Sequence, residues 1–176
     1  ESVIEHEKVT VRVICDRGVT HEIVRHRIAS YSQESTRYCN YGSFAVQFIE
    51  PLFFKRDEPK RGIKIPGVGC DISVLEFETA DLNAFDVWFF AMLVAEWAYL
   101  TLVGQFDRSP QEARSVLPNS LKTEIVITYN LREWRHFFKL RCSKRAHPQM
   151  REITIPLLQE FKRLIPVIFD DVAVDG

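Results

Sequence analysis

The sequence lacks the compositional extremes that define several classes of protein. Its 176 residues carry 23 basic and 24 acidic side chains, and a net charge of -1 argues against a protein that coats nucleic acid through bulk charge. It shows no internal repeat, no low-complexity segment and no pattern of a secretory signal peptide. The hydrophobic content of 46% is that of a folded chain with a filled core. The length predicts one domain, 1–176, and because the sequence begins at Glu1 we expect a segment ahead of it.

Cysteine is sparse, and its spacing excludes the common paired sites. The four cysteines are Cys15, Cys39, Cys70 and Cys142. No two of them have the spacing of a zinc site or a redox dithiol, so a reducing cytoplasm is the expected compartment, although spacing alone leaves a disulfide open. His6 and His147 also have no partner at metal-ligand spacing. We therefore predict no metal site.

The glycine pattern excludes a dinucleotide-binding loop. Gly67-Val68-Gly69 lacks the third glycine of that motif, and no strand and helix flank it at the required places. It falls in the stretch 53–69, which is rich in Lys, Arg, Asp, Pro and Gly. We expect this stretch to be a mobile surface excursion within the domain.

The hydrophobic periodicity predicts an α/β fold of the mixed α+β type, with a small, mostly antiparallel sheet, a long buried helix and C-terminal helices. Strands are predicted at 9–15, with a start as early as Val3 considered, at 44–49 and at 124–129. Helices are predicted at 19–27, 82–105, 110–116, 131–140 and 148–164, the last interrupted by Pro156. The segment 30–41 has no clear period and is predicted to be a polar, functional loop.

The longest apolar run, 82–105, raises the question of a membrane span. Glu96 is its only charge between Val87 and Gly104. Acidic residues spaced through the run and the absence of a basic flank argue against a span. A helix that is apolar on nearly all sides is more often buried in a core or between subunits, so we predict an oligomer interface here.

Cationic and hydrogen-bonding side chains are concentrated between Arg25 and Tyr38. These fourteen residues hold three arginines, a histidine and several hydroxyls and amides, with Glu34 as the only acid. Such groups suit phosphate or another anion held in a fixed orientation. A surface helix whose last turn carries cations explains Arg25-His26-Arg27 equally well, so these residues alone leave both interpretations open.

A second basic segment runs from Leu131 to Arg151, with Glu133 as its only acid up to the last residue. Asn130 is the predicted N-cap of its helix, which places Arg132 and His136 on one face and Arg141 at or just past its end. The predicted buried face is formed by Trp134, Phe137, Phe138 and Leu140. An RNA-binding module that uses these basic and aromatic residues is the alternative function, although a helix would bury the aromatics.

Two segments, in their order and spacing, resemble the flavin-dependent thymidylate synthases. The first is Arg25-His26-Arg27, followed after seven residues by Ser35 and then by Arg37 and Tyr38. The second is Arg114-Ser115-Val116-Leu117-Pro118, followed by Asn130, Arg132, His136 and Leu140-Arg141. The likeness covers nearly the whole chain apart from 53–69.

The resemblance implies an enzyme that joins a methylene group from methylenetetrahydrofolate to C5 of dUMP and releases dTMP. It implies FAD as the bound reductant and NADPH as the source of its electrons. It also implies a homotetramer with active sites shared between subunits, with no nucleic-acid or membrane partner. A relative that binds flavin or nucleotide without turnover is the second alternative.

The resemblance also assigns the site residues. The dUMP contacts are Glu22, Arg25, Gln33, Glu34, Ser35, Arg37, Arg141 and, from a neighbouring subunit, Arg114. The FAD contacts are Ser2, Arg25, His26, Arg27, Gln33, Asn130, Arg132 and His136. Arg141 is the catalytic residue: a guanidinium holds its proton too tightly to act as a base, so its role is to stabilise negative charge on the uracil ring. No cysteine nucleophile is required.

Two positions depart from the family pattern. Many members carry Glu where this chain has Gln33, and some carry Gln where it has Glu22. The family also has a segment ahead of the position of Glu1, including a histidine near the flavin. We therefore expect this chain alone to bind FAD less well than the longer protein.

Overall fold

A computed structural model describes residues 2–42, 45–54 and 83–174 of the chain. The chain divides into two compact units, the first formed by Glu1–Glu34 with Lys122–Gly176 and the second by Ser35–Leu121. Most of the predicted excursion 53–69, together with Cys70, lies outside the described residues. The predicted mixed α/β fold class is confirmed by the elements that follow.

The sheet lies in the first unit and has three antiparallel strands within the described residues. These are β1 (Lys8–Asp16), β2 (Ser30–Gln33) and β3 (Lys122–Asn130), in the order β1-β3-β2. The central strand β3 pairs with β1 from Lys8↔Asn130 to Asp16↔Lys122. Its other edge pairs with β2, where Ser30 lies opposite Thr128. The two long strands agree with the predicted ones and extend them by a few residues.

The described helices are α1 (Arg17–Ile23), α2 (Ala84–Gly104), α3 (Pro110–Ala113), α4 (Leu131–Arg141), α5 (Pro148–Leu164) and α6 (Pro166–Phe169). Short 3-10 helices cover Ser2–Glu5 and Arg114–Val116. Side-chain caps explain several of the starts: the Asp16 carboxylate accepts from the Val19 N–H, and the Asn130 side chain accepts from the Glu133 N–H. The helix predictions for α3, α4 and α5 are confirmed, including Pro156 inside α5.

The core of the first unit is an aromatic cluster between the sheet, α4 and α5. Trp134, Phe137 and Phe138 on α4 are at most 1% exposed, and Phe138 packs against Phe161 with 5.1 Å between ring centroids. The Trp134 indole also donates to the carbonyl of Val9 in β1 at 3.0 Å. The prediction that Leu140 is buried is wrong: it is 49% exposed, because the buried row of this helix runs through Leu131, Trp134 and Phe138 to Cys142 and passes Leu140 by.

The second unit contains α2 and its own smaller core. Asn83 and Asp86 form a reciprocal cap at the start of α2, and the Tyr99 hydroxyl accepts from the Tyr41 N–H at 3.2 Å. Only Met92 and Tyr99 of α2 are buried within the single chain. Among the described residues α2 is the one helix that is long and apolar enough to cross a membrane, and length and composition alone fit a protein-covered helix equally well.

Two predictions in the central part of the chain are wrong. The described residues of the predicted strand 44–49 do not pair as a strand and make a single bridge, Phe48↔Leu121. The apolar pattern reflects the burial of Val46, which an extended chain achieves without pairing to a neighbouring strand. The predicted loop 30–41 begins with strand β2 instead. The Tyr31 hydroxyl of β2 forms hydrogen bonds with the Ile23 carbonyl and the Tyr129 hydroxyl.

Two boundaries also differ from the prediction. The helix predicted at 19–27 ends at Ile23, because the next residues turn inward rather than continue along the surface. The strand considered from Val3 begins at Lys8, since Ser2–Glu5 forms a 3-10 helix. As a result Arg25, His26 and Arg27 follow a helix rather than end one.

Candidate active site

The turn after α1 carries His26 into the interior of the first unit. The Arg25 and His26 N–H groups donate to the carbonyls of Glu22 and Ile23 at 3.2 and 3.1 Å, which closes the turn. The His26 carbonyl accepts from the Tyr31 hydroxyl of β2 at 2.5 Å. His26 is 7% exposed, and its ring lies edge-on to Phe137 at 5.0 Å between centroids. Two surface arginines therefore flank a buried histidine.

Both ring nitrogens of His26 have a partner on α4. Nδ1 lies 3.2 Å from a carboxylate oxygen of Glu133, and Nε2 accepts from Nε of Arg141 at 3.0 Å. Burial, and then the Arg141 cation, lower the pKa of His26, against the opposing effect of Glu133. The ring is therefore neutral in the folded protein near pH 7.

Arg141, the last residue of α4, is held from a second side by α1. One terminal nitrogen donates to the Glu22 carboxylate at 2.7 Å, and the other donates to the Glu22 carbonyl at 3.1 Å. The two motifs that the sequence singled out thus meet at Glu22, His26 and Arg141. Because a guanidinium with three such partners has a fixed position, Arg141 can present its remaining N–H groups in one orientation.

The other predicted residues of the first unit have different surroundings. Arg25 and Arg27 are exposed. The Gln33 amide donates to the hydroxyls of Thr20 and Thr123 at 2.9 and 3.4 Å, and Glu34 lies 3.6 Å from the Lys122 ammonium. Since the Gln33 amide already has two partners, its contacts with dUMP and FAD stay predictions.

In the second unit the structure brings Ser35, Arg37 and Arg114 together. The Ser35 hydroxyl accepts from the Arg37 N–H at 3.3 Å, and the Arg37 guanidinium donates to Gln111 at 3.4 Å. Arg114 donates to the hydroxyl of Thr36 at 3.4 Å. Two guanidinium groups and a hydroxyl gathered at this turn suit a phosphate group. Within one chain Arg114 lies beside the turn that carries Ser35 and Arg37. Its contact with dUMP in the site of a neighbouring subunit stays a prediction.

A cavity of about 530 Å³ lies in the first unit at the start of α4. Three predicted FAD contacts, Asn130, Arg132 and His136, line it together with Lys139. Arg132 forms an ion pair with Glu5, which places the 3-10 helix Ser2–Glu5, including the exposed Ser2, next to α4. The volume is that of a typical cofactor site, and the cationic donors suit a phosphate-bearing cofactor such as FAD.

His26, Glu133 and His136 have ligand atoms within 4.8 Å of one another, as in many metal sites. The guanidinium 3.0 Å from Nε2 of His26 disfavours a second cation there. His26 and Glu133 are better described as part of a hydrogen-bonded chain that continues to Arg141, with the His136 ring beside it.

The buried thiols do not offer a nucleophile. Burial raises the pKa of Cys142, and it raises the pKa of Cys15 to about 12, so both are protonated at neutral pH. Cys142, next to Arg141 in sequence, is fully buried.

Sequence reasoning missed Glu133 as a site residue. In the sequence Glu133 stands out only as the one acid of the basic segment from Leu131 to Arg151, whereas the structure directs its carboxylate to His26. The signal was available, because Glu133 and His136 lie three residues apart on the face that also carries the predicted cofactor contacts.

The chain is similar in sequence to proteins of known name. The sequence profile of the family described as Thymidylate synthase complementing protein matches residues 1–167. Flavin-dependent thymidylate synthase from Geobacter sulfurreducens is 35% identical over 173 residues, which are 97% of this chain and 63% of that protein. The enzyme of the same name from Pyrococcus horikoshii is 34% identical over 182 residues, covering 96% of this chain and 61% of the relative. The chain thus spans less than two thirds of the length of the curated relatives it matches.

The fold has a counterpart among solved structures. Thymidylate Synthase X from Helicobacter pylori, crystallised with FAD and dUMP, superposes with a TM-score of 0.69 at 22% identity. The superposition covers 97% of this chain and 75% of that one. At this identity the likeness concerns the fold, and the family follows from the sequence match over 1–167. The chain belongs to the thymidylate synthase complementing protein family.

Proposed function

We propose that this chain forms the body of a flavin-dependent thymidylate synthase, which methylates dUMP to dTMP. The carbon donor in this proposal is methylenetetrahydrofolate, and NADPH is the reductant. Family membership and the names of the relatives support the reaction. The observation that carries the proposal is the position of Arg141, held by Glu22 and His26 where the two motifs meet.

The chemical problem for the protein is to make C5 of uracil a nucleophile. C5 gains electron density when the ring acquires negative charge, either by losing its N3 proton or by developing an enolate. The Arg141 guanidinium would stabilise this charge with preoriented N–H groups. Three of its donors are already bound to Glu22 and His26, so little reorganisation is needed when the substrate arrives.

Substrate binding is assigned to the remaining predicted residues. In the second unit, Ser35, Arg37 and Arg114 would hold the phosphate of dUMP. Arg25, exposed in the first unit, stays a predicted dUMP contact. Glu22 would position Arg141 in addition to its predicted contact with dUMP.

FAD would occupy the cavity lined by Asn130, Arg132 and His136, with Ser2, Arg25, Arg27 and Gln33 as further predicted contacts. When bound, FAD supplies the hydride that completes the methyl group. The contact of His26 with FAD also stays a prediction, and the buried ring has a second role toward Arg141.

The alternative of an RNA-binding module has no support from the aromatic residues. Trp134, Phe137 and Phe138 are buried, so they offer no stacking surface. A flavin- or nucleotide-binding relative without turnover has the same site residues and differs only in activity.

Assembly and compartment belong to the same proposal. A homotetramer with shared sites is supported by α2, an apolar helix of which only Met92 and Tyr99 are fully buried in the single chain. A cytoplasmic location is supported by Cys15, Cys39 and Cys142, which are free thiols. That residues 1–176 form a single domain, made up of the two compact units, also stays a proposal.

The test uses the full-length protein that contains this chain. A flavin-bound protein that oxidises NADPH faster with dUMP, and that forms dTMP when methylenetetrahydrofolate is added, supports the proposal. A protein that binds FAD and dUMP but forms no dTMP supports the non-catalytic relative instead. A protein that binds neither, and is retained on single-stranded RNA in a salt-dependent way, supports the RNA-binding alternative.

A further inference from the structure

We infer that Glu133 is a positioning residue for Arg141 and acts through His26, by fixing which ring nitrogen carries the proton. The role of Arg141 in turnover rests on the proposed function. The hydrogen-bond chain from Glu133 to Arg141 does not depend on it.

The tautomer of His26 follows from what each neighbour can donate. Arginine has N–H donors and no acceptor, so Nε2 of His26 must present its lone pair to Nε of Arg141 at 3.0 Å. A neutral imidazole then carries its proton on Nδ1. The acceptor for that proton is the Glu133 carboxylate at 3.2 Å. The chain therefore runs from Arg141 through His26 to Glu133, with every proton assigned.

Glu133 is well placed to hold the ring. It is 7% exposed, and its backbone N–H is bound to the Asn130 side chain at 2.8 Å, which fixes the first turn of α4. Glu133 and Arg141 are about two helical turns apart on the same helix, and His26 enters between them from the turn after α1. Both ends of the chain thus belong to one rigid element.

The other polar groups around His26 leave Glu133 as the acceptor for Nδ1. His136 on α4 is edge-on at 6.0 Å between ring centroids, and Tyr129 on β3 is at 6.3 Å. Tyr31 on β2 binds the His26 backbone carbonyl and the Tyr129 hydroxyl. Glu22 on α1 is bound to Arg141. Among the described residues, the Glu133 carboxylate is the one that bonds to Nδ1.

The consequence for Arg141 is the orientation of its free donors. Of the five N–H groups of a guanidinium, one bonds to His26 and two bond to Glu22, which leaves one on each terminal nitrogen. If the His26 ring rotates or shifts its proton to Nε2, the Arg141 Nε–H loses its acceptor. The guanidinium can then turn about its bond to Glu22, and the two remaining N–H groups no longer point in a fixed direction.

The experiment compares two replacements of Glu133 in the full-length protein. Glu133→Gln keeps an oxygen that accepts from Nδ1, and Glu133→Met fills the same space without an acceptor. Glu160→Met, which removes an exposed carboxylate from α5, is the matched control. The proton position on His26 is read from the imidazole ¹⁵N shifts of the labelled protein, and kcat and the dUMP dissociation constant are measured beside it.

The proposal expects a proton on Nδ1 in the wild type, in Glu133→Gln and in the control, and an exchanging mixture in Glu133→Met. It also expects kcat to fall roughly 10- to 100-fold in Glu133→Met, less in Glu133→Gln, with little change in dUMP affinity. A fixed Nδ1 proton and full turnover in folded Glu133→Met would overturn it.

The wild-type spectrum decides the tautomer even if Glu133→Met fails to fold, because a proton on Nε2 in the wild type contradicts the proposal directly. Failure of the proposed function has a different signature. In that case the wild type forms no dTMP while its His26 spectrum, and the response to Glu133→Met, are as expected.

Discussion

At the scale of single residues, Arg141 is defined by its geometry more than by its charge. Its guanidinium bonds to Glu22 through two nitrogens and to His26 through the third. A lysine ammonium at this position keeps the charge but cannot reach both partners at once. Replacing Arg141 by lysine therefore separates a role of its charge from a role of the orientation of its N–H groups.

We therefore expect Arg141→Lys to lower kcat for dTMP formation by at least about 100-fold, an effect of the size seen when an oriented donor is removed from an active site. Steady-state kinetics with saturating dUMP measure it. Lys144→Arg, the reverse exchange at an exposed position, is the control and should stay near the wild type. A near-normal kcat in Arg141→Lys would count against the catalytic assignment.

Because His26 is buried, we expect the free energy of unfolding to fall in acid. Its folded-state pKa is lowered, chiefly by burial, below the value of about 6.5 in an unfolded chain. As the pH falls below about 6.5 the unfolded chain binds a proton that the folded chain excludes, so the free energy of unfolding falls, by at most about 1.4 kcal/mol per pH unit. Urea unfolding at pH 7.5 and 5.5 measures this loss.

The loss should be smaller in His26→Gln, whose amide does not titrate. It should be unchanged in His21→Gln, because His21 is exposed on α1. Equal pH dependence in all three proteins would show that His26 is not the group responsible.

At the scale of elements, the sequence predicted the parts whose side chains repeat with a helical or strand period. Strands β1 and β3 and helices α4 and α5 were found in this way, because their apolar residues face one core. Strand β2 was missed since Tyr31 is its one large core-facing residue, and its hydroxyl bonds to Ile23 and Tyr129. A strand whose inward contact is a buried hydrogen bond lacks the alternation of apolar residues from which strands are predicted.

The candidate site was predictable in its membership and not in its internal contacts. The family resemblance assigned Glu22, His26 and Arg141 to the site, but spacing along the chain does not show that α1 ends early enough for His26 to turn inward. The partners of Gln33 and the role of Glu133 depend on the same tertiary arrangement. These contacts join residues more than ten positions apart, which a local pattern does not encode.

Helix α2 yields a prediction about assembly. Only two of its residues are buried in the single chain, although it is almost uncharged from Val87 to Gly104. Covering this face with other subunits would remove apolar surface from water. We expect Phe90→Asp to dissociate the assembly and to release flavin with it.

Sedimentation and the flavin absorbance of the same sample measure both effects. Val167→Asp, which changes a 92%-exposed valine on α6, is the control and should stay assembled. A Phe90→Asp protein that stays assembled and yellow would contradict the interface role of α2.

At the scale of the whole molecule, the second unit is an insertion between two strands that are neighbours in the sheet. The chain leaves the first unit after Glu34, whose N–H donates to the Glu124 carbonyl at 2.9 Å, and returns at Lys122. The first unit also has a complete aromatic core of its own. Its stability does not require the inserted residues to supply that core.

We expect a protein in which a short Asn-Gly turn replaces Ser35–Leu121 to fold as the first unit alone. The expected signs are a cooperative urea transition and a Trp134 fluorescence like that of an intact chain in which the other two tryptophans, Trp88 and Trp97, are replaced by Phe, since Trp134 lies in the core of this unit. A non-cooperative transition would show that the first unit depends on the second.

The strand order β1-β3-β2 also sets the order of events while the chain is synthesised. Within the part of the chain that the structure describes, both outer strands pair only with β3, which begins at Lys122. The bond from Trp134 to Val9 spans 125 positions of sequence. Loop closure of this length raises the contact order and places folding in the range of milliseconds to seconds. Until residues 122–130 emerge from the ribosome, β1 and β2 have no sheet partner and expose unpaired edges. The nascent chain is therefore most prone to aggregation, and most dependent on chaperones, during that interval.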